Sequence, residues 1–160
     1  MDFLSALEGT WAGRGSGRYP TIESFDYEET VRFEREITEP LTHYEQKTRL
    51  IPSGEPSHWE SGFIRQMEGD AVEILNSQNS GRVEVLRGRW TIDAQSPTEL
   101  HFTFDSVALE NDPRLVRTRR IWTVRDDTLR YEVLMATRTT PEPKLETHLQ
   151  AVLTRVSREA

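Results

Sequence analysis

Few side chains in this sequence could ligate a transition metal. Four histidines and no cysteine are present. Thiolate nucleophiles, disulfides and cysteine-held metals or haem are therefore excluded, and such a ligand falls to His43, His58, His101 or His148. His43 stands among charged residues and reads as a solvated surface group. His58 lies two residues before Glu60 and beside Gly62, so histidine and carboxylate share one face of an extended segment. That pair reads as a surface pair at a turn end, which the spacing favours, or as polar groups reaching into a cavity. His101 sits on the polar face of its segment. His148 alternates with Gln150, Val152 and Thr154, and on spacing alone it is a surface or hydrogen-bonded histidine.

A basic cluster, Arg117, Arg119 and Arg120, stands out in an acidic chain. Strand parity places Arg120 with Trp122 and Val124 and turns Arg119 the other way. Arg120 is then either directed towards whatever those apolar groups enclose or part of a surface salt bridge. Near the start, Gly9, Gly13, Gly15 and Gly17 surround Trp11, and the last three keep a period of two. Glycine on one face of a strand marks a close approach, by a neighbouring strand or by a flat ligand.

The elements that must position these groups are strands. Segments beginning at Gly9, Ile22, Leu41, His58, Ala71, Arg82, Leu100, Val116, Leu129 and Leu145 alternate apolar with polar residues between turn signals. Ile22 to Ile37 reads as one long strand. Asn76 to Gly81, including Gln78, reads as a polar hairpin loop. Phe3, Leu4 and Leu7 are spaced for a short helix covering a barrel end. The expected fold is all-β, an up-and-down antiparallel barrel of about ten strands, lipocalin-like, with a short N-terminal helix. Residues 1–160 form one domain on this reading.

The formal net charge of -7 argues against nucleic acid or an anionic membrane as partner. No run of about 18 apolar residues and no basic-then-apolar leader is present, so a cytoplasmic protein is expected.

The spelling carries more than the spacing. Gly9-x-Trp11-x-Gly13-x-Gly15, continued by Tyr19-Pro20-Thr21-Ile22, resembles the opening of the nitrobindin family of haem proteins. His58-x-Glu60-x-Gly62-Phe63-x-Arg65, Gln78 with Gly81 and Gly88, Met135-Ala136-Thr137 and Thr147-His148-Leu149 extend the likeness over almost the whole chain. The resemblance implies a ten-stranded barrel holding haem b at a solvent edge, with His148 as the axial iron ligand. By the same resemblance, Thr21 and Arg120 lie at the haem, Gly13 and Gly15 face it, and His58, Gln78 and Met135 line the pocket. It further implies conversion of peroxynitrite to nitrate at ferric haem, binding of nitric oxide, and a homodimer as one possible assembly. A different class of reading is a non-enzymatic carrier of a fatty acid or other small apolar ligand in a lipocalin-like barrel, in which Arg120 with Tyr131, for example, would hold a carboxylate.

Overall fold

The computed structural model describes residues 3–35 and 40–158. A one-turn helix, α1 (Leu4–Leu7), leads into ten antiparallel strands: β1 (Gly9–Tyr19), β2 (Ile22–Arg35), β3 (Leu41–Ile51), β4 (Pro56–Gln66), β5 (Ala71–Gln78), β6 (Val83–Ile92), β7 (Glu99–Glu110), β8 (Leu115–Arg125), β9 (Thr128–Thr137) and β10 (Glu146–Ser157). Each strand pairs with its sequence neighbour, and β1 closes the circle on β10. The expected up-and-down barrel and short helix are the observed fold. The part of the long second strand expected at Ile37 lies outside the described residues. No helix among the described residues is long and apolar enough to cross a membrane.

Period-two alternation explains which side chains face inward. Tyr27, Val31 and Phe33 of β2 are buried while Glu28, Thr30 and Arg32 are exposed, as one buried face requires. The glycines of β1 share the inward parity of Trp11, and protein fills the space they leave. A Cβ on Gly13 would lie 2.1 Å from the Val152 carbonyl oxygen. On Gly15 it would lie 2.3 Å from the Tyr27 ring, and on Gly17 2.2 Å from the Phe25 ring. The close approach is therefore by β10 and by two aromatic rings of β2.

The two barrel ends differ. One is closed by α1, which is too short to be stable alone and is held by tertiary contacts. Phe3, Leu4 and Leu7 are fully buried, and burial of each contributes about 1.5–3 kcal/mol. Trp11 Nε1 donates to the Leu7 carbonyl at 2.7 Å. Arg155 donates to the carbonyls of Ala6 and Glu8, and its guanidinium lies 4.1 Å above the Trp11 ring. The opposite end gathers the end of β1, the starts of β2, β4, β8 and β10, and the β5–β6 turn. It stays open.

Two expectations need correction. Gln78 is not in the hairpin loop: β5 runs through it, and the side chain is buried. The β4 face with His58, Glu60 and Ile64 points inward, against the surface reading, with Glu60 and Ile64 buried. The large aromatics Trp59 and Phe63 take the outer face, where Trp59 donates to Glu45 at 3.0 Å and Lys47 sits over its ring. Outside contacts suffice for those rings, and an internal cation stands ready for the glutamate.

Candidate functional site

Four histidines divide evenly between outside and inside. His43 bonds the Ser61 hydroxyl at 2.9 Å, and His101 lies 3.0 Å from a Glu99 oxygen; both are half-exposed groups of the outer face. His58 and His148 stand at the open end.

His148 is buried, with 4% of its surface exposed. Strict alternation would turn it outward with the exposed Gln150, Val152 and Thr154. The β10–β9 register shifts between Thr147 and Leu149, and such a bulge re-aims a side chain. His148 Nδ1 lies 2.7 Å from the Glu146 carbonyl oxygen. A carbonyl can only accept, so Nδ1 carries the proton and Nε2 presents its lone pair. Nε2 is itself buried and has no hydrogen-bond partner. A buried nitrogen left so is the exception that calls for an explanation. Metal-binding imidazoles are oriented by this same kind of bond from the other ring nitrogen. The residues therefore fit an imidazole-ligated metal group.

Beside it, reached through its neighbours Tyr19 and Leu149 and not lined by His148 itself, lies a cavity of about 470 Å³, within the ordinary range for small-molecule sites. Its mouth is edged by Tyr19, Ile22, Ser57, His58, Ser80 and Arg82, and its wall includes Met135, Leu149, Trp122 and Val133. Met135 pairs in register with Glu146, beside His148. Thr21 sits exposed in the β1–β2 turn, between the two mouth residues Tyr19 and Ile22. Gly13 and Gly15 are not on the cavity wall.

Two buried polar networks cross the interior. In the first, Glu60 accepts from Tyr44 at 2.7 Å and from Arg120 at 2.5 and 3.1 Å, and lies 3.0 Å from His58 Nε2. Glu84 accepts from Arg120 at 2.9 Å, Gln78 at 3.0 Å and Thr118 at 2.7 Å. Gln78 Oε1 in turn accepts from Arg82 Nε at 2.8 Å. Burial alone would raise the Glu60 pKa, but the Arg120 guanidinium and the bond to His58 outweigh it and hold the carboxyl well below its usual range. Burial would likewise lower Arg120, and Glu60 reverses this, so the arginine stays charged.

The second network surrounds Glu29. Tyr131 donates to Glu29 Oε2 at 2.5 Å, Gln46 donates to Oε1 at 2.6 Å, and the Tyr27 and Tyr131 hydroxyls are 2.8 Å apart. Burial pushes the Glu29 pKa up to about 8, against the pull of the Tyr131 bond. The carboxylate cradle expected from Arg120 and Tyr131 is not formed. Arg120 spans two glutamates and Tyr131 binds a third.

The structure thus brings His58, Gln78 and Arg120 into one network, sets His148 beside Met135, leaves Thr21 at the rim, and keeps Gly13 and Gly15 apart from the wall. Glu84, Arg82 and the Glu146 carbonyl have no site role in the sequence reading; Tyr19 figures there only within the opening motif, and Glu60 only in the less favoured alternative of polar groups reaching into a cavity. Glu29 had a signal: it keeps the parity of Tyr27, Val31 and Phe33.

A closed barrel with an internal cavity, and a buried, bare imidazole nitrogen behind the Tyr19 ring that edges its mouth, defines a ligand-binding β-barrel with a candidate metal-group ligand. The THAP4-like, heme-binding beta-barrel domain matches residues 1–155, and the chain belongs to that family. It is 39% identical over 150 residues to the protein named peroxynitrite isomerase Rv2717c of Arabidopsis thaliana, covering 94% of this chain and 85% of the relative. It is 38% identical over 155 residues to the peroxynitrite isomerase of Nocardia farcinica, covering 95% and 88%. The crystal structure of Rv2717c from M. tuberculosis superposes with a TM-score of 0.85 at 31% identity, covering 95% of this chain and 94% of that one. A phycobiliprotein lyase from Guillardia theta, at TM-score 0.63 and 11% identity, shares the fold alone.

Proposed function

We propose that this chain binds haem b through His148, converts peroxynitrite to nitrate there, and binds nitric oxide at the same group. The observation that carries the reading is the His148 imidazole, with Nδ1–H donated to a backbone carbonyl and Nε2 buried and bare. The family and the names of the relatives supply the cofactor and the substrate.

When bound, ferric haem supplies the metal centre at which the peroxynitrite O–O bond breaks and nitrate forms. The chain supplies the surroundings. The Glu146 carbonyl fixes the tautomer of His148 and strengthens Nε2 as a donor. Met135, Leu149 and Phe25 offer apolar contact to a flat ring system, with Thr21 at the rim. Arg82 and Arg114 stand near Tyr19 and share one carboxylate, Asp112, so two guanidiniums against one carboxylate leave a cationic excess at the mouth, where the carboxylates of a solvent-edge haem would need it. His58, held on Glu60 through Nε2, presents its other ring nitrogen at the mouth. Gly13 and Gly15 act indirectly, by letting β10 and the Tyr27 ring close in.

The test is the decay of peroxynitrite with and without hemin-loaded protein, with nitrate yield as the second readout. The reading expects acceleration and a higher nitrate yield than free hemin gives, both lost in His148→Ala. Decay no faster than with free hemin would refute it.

A further inference from the structure

Arg120 lines the cavity, yet both its terminal nitrogens are spent on carboxylates. Nη1 and Nη2 hold Glu60 in a fork, and Nη2 also reaches Glu84. Beyond each glutamate the chain of contacts continues to the cavity mouth. On one side Glu60 Oε2 meets Nε2 of His58, whose backbone N–H is tied to Thr48 Oγ1 at 2.9 Å. On the other, Glu84 takes one N–H of Gln78, and the Gln78 oxygen takes Nε–H of Arg82. His58 and Arg82 both edge the mouth, whereas Gln78 and Glu84 lie behind it.

We infer that Arg120 is a positioning residue: one buried guanidinium sets the ring of His58 through Glu60 and the side chain of Arg82 through Glu84 and Gln78. This role rests on the haem reading only for its purpose. Its geometry stands without the cofactor.

The chemistry on each branch is specific. Glu60 accepts four contacts within 3.1 Å, and as an acceptor-only carboxylate it obliges His58 to present Nε2–H to it. Nδ1 of His58 is then the nitrogen left for a ligand or solvent. An amide at position 60 would keep its oxygen on the shorter contacts, from Tyr44 and Arg120 Nη1 at 2.7 and 2.5 Å, and turn its N–H to His58, reversing that choice. On the other branch Gln78 is fixed by complementary partners, since its amide nitrogen must face Glu84 and its oxygen must face Arg82. A lysine at position 120 would keep the charge but could not fork onto one carboxylate while reaching a second.

The experiment uses the full chain without hemin, labelled with nitrogen-15, with the histidine ring and arginine Nε signals read by long-range nitrogen–proton correlation. His58→Gln and Arg82→Gln assign the signals. Wild type is expected to carry the His58 proton on Nε2. Glu60→Gln is expected to move it to Nδ1 with Arg82 Nε unmoved. Glu84→Gln is expected to shift Arg82 Nε with the His58 ring unmoved, and Arg120→Lys to shift both in a protein whose indole and backbone spectra remain folded. If the His58 proton stays on Nε2 in Glu60→Gln, or both signals stay in place in folded Arg120→Lys, the positioning role is wrong. Hemin titration of the same samples separates the two ideas. A flat titration with the tautomer switch intact would overturn the haem reading alone, and normal hemin binding with no switch would overturn this inference alone.

Discussion

The rings of Tyr19 and His148 meet at the open end of the barrel, with centroids 4.8 Å apart and planes at 55°. Tyr19 also stacks on Phe25 at 6.1 Å, so the phenol is wedged between Phe25 and the histidine whose Nε2 is buried. Tyr19 lines the cavity and His148 does not, so a planar cofactor that enters through the cavity and reaches Nε2 is expected to displace that ring. Tyr19→Ala is therefore expected to speed the uptake of hemin several-fold, read by stopped-flow absorbance. An unchanged uptake rate would mean that the ring is not in the way.

Glu29 makes stability depend on pH. Its pKa is about 8 in the folded chain against an ordinary 4.5, so the folded state holds a proton that the unfolded state releases above about pH 4.5. Stability from this group is full below that pH, declines by about 1.4 kcal/mol per pH unit as pH rises, and levels off near pH 8. Glu60 has the opposite sign, and its contribution is lost only in acid. Thermal melts between pH 5 and 8 should fall with rising pH in wild type and much less in Glu29→Gln. Parallel curves would contradict the assignment.

Arg155 ties the helical cap to the barrel. Its side chain is 4% exposed and bonds two carbonyls of the cap region as well as Asp127 at 2.9 Å. Arg155→Met keeps the stem over Trp11 and removes these charged donors, at a cost of about 1.5–3 kcal/mol. A fall in Tm of roughly 3–12 °C is expected, and an unshifted melt would show that the cap is held by its apolar contacts alone.

Gly15 makes room for Tyr27. A Cβ there would sit 2.3 Å from the ring, so Gly15→Ala should cost about 1–3 kcal/mol through overpacking. Removing the ring as well, in Gly15→Ala with Tyr27→Ala, should cost less than the sum of the two single changes. Strict additivity in denaturant melts would rule out the clash.

Much of the barrel was legible because its strands obey simple parity. Tyr27, Val31 and Phe33, or Leu100, Phe102 and Phe104, announce one buried face each, and Trp11 marks the inward side of the glycine strand. The site was less legible where parity breaks or inverts. His148 is turned by a bulge, which leaves no mark in alternation, so spacing alone placed it on the surface and only the resemblance singled it out. Glu60 looked like a surface group because a buried carboxylate needs its cation, and Arg120 lies sixty residues away in sequence. Gln78 was assigned to a loop because its neighbours Asn76, Ser77, Asn79 and Ser80 are turn-forming types, whereas β5 extends through it to pair with Glu60. Long-range polar pairing is what local pattern cannot show.

On the proposed function, Nε2 of His148 is the point of haem attachment. The most direct test is hemin titration of wild type and His148→Gly, followed by addition of free imidazole to the variant. A saturable Soret band at one hemin per chain is expected, with its loss in His148→Gly and its return when imidazole fills the space of the missing ring. An equally tight, spectrally identical complex in His148→Gly without imidazole would contradict it.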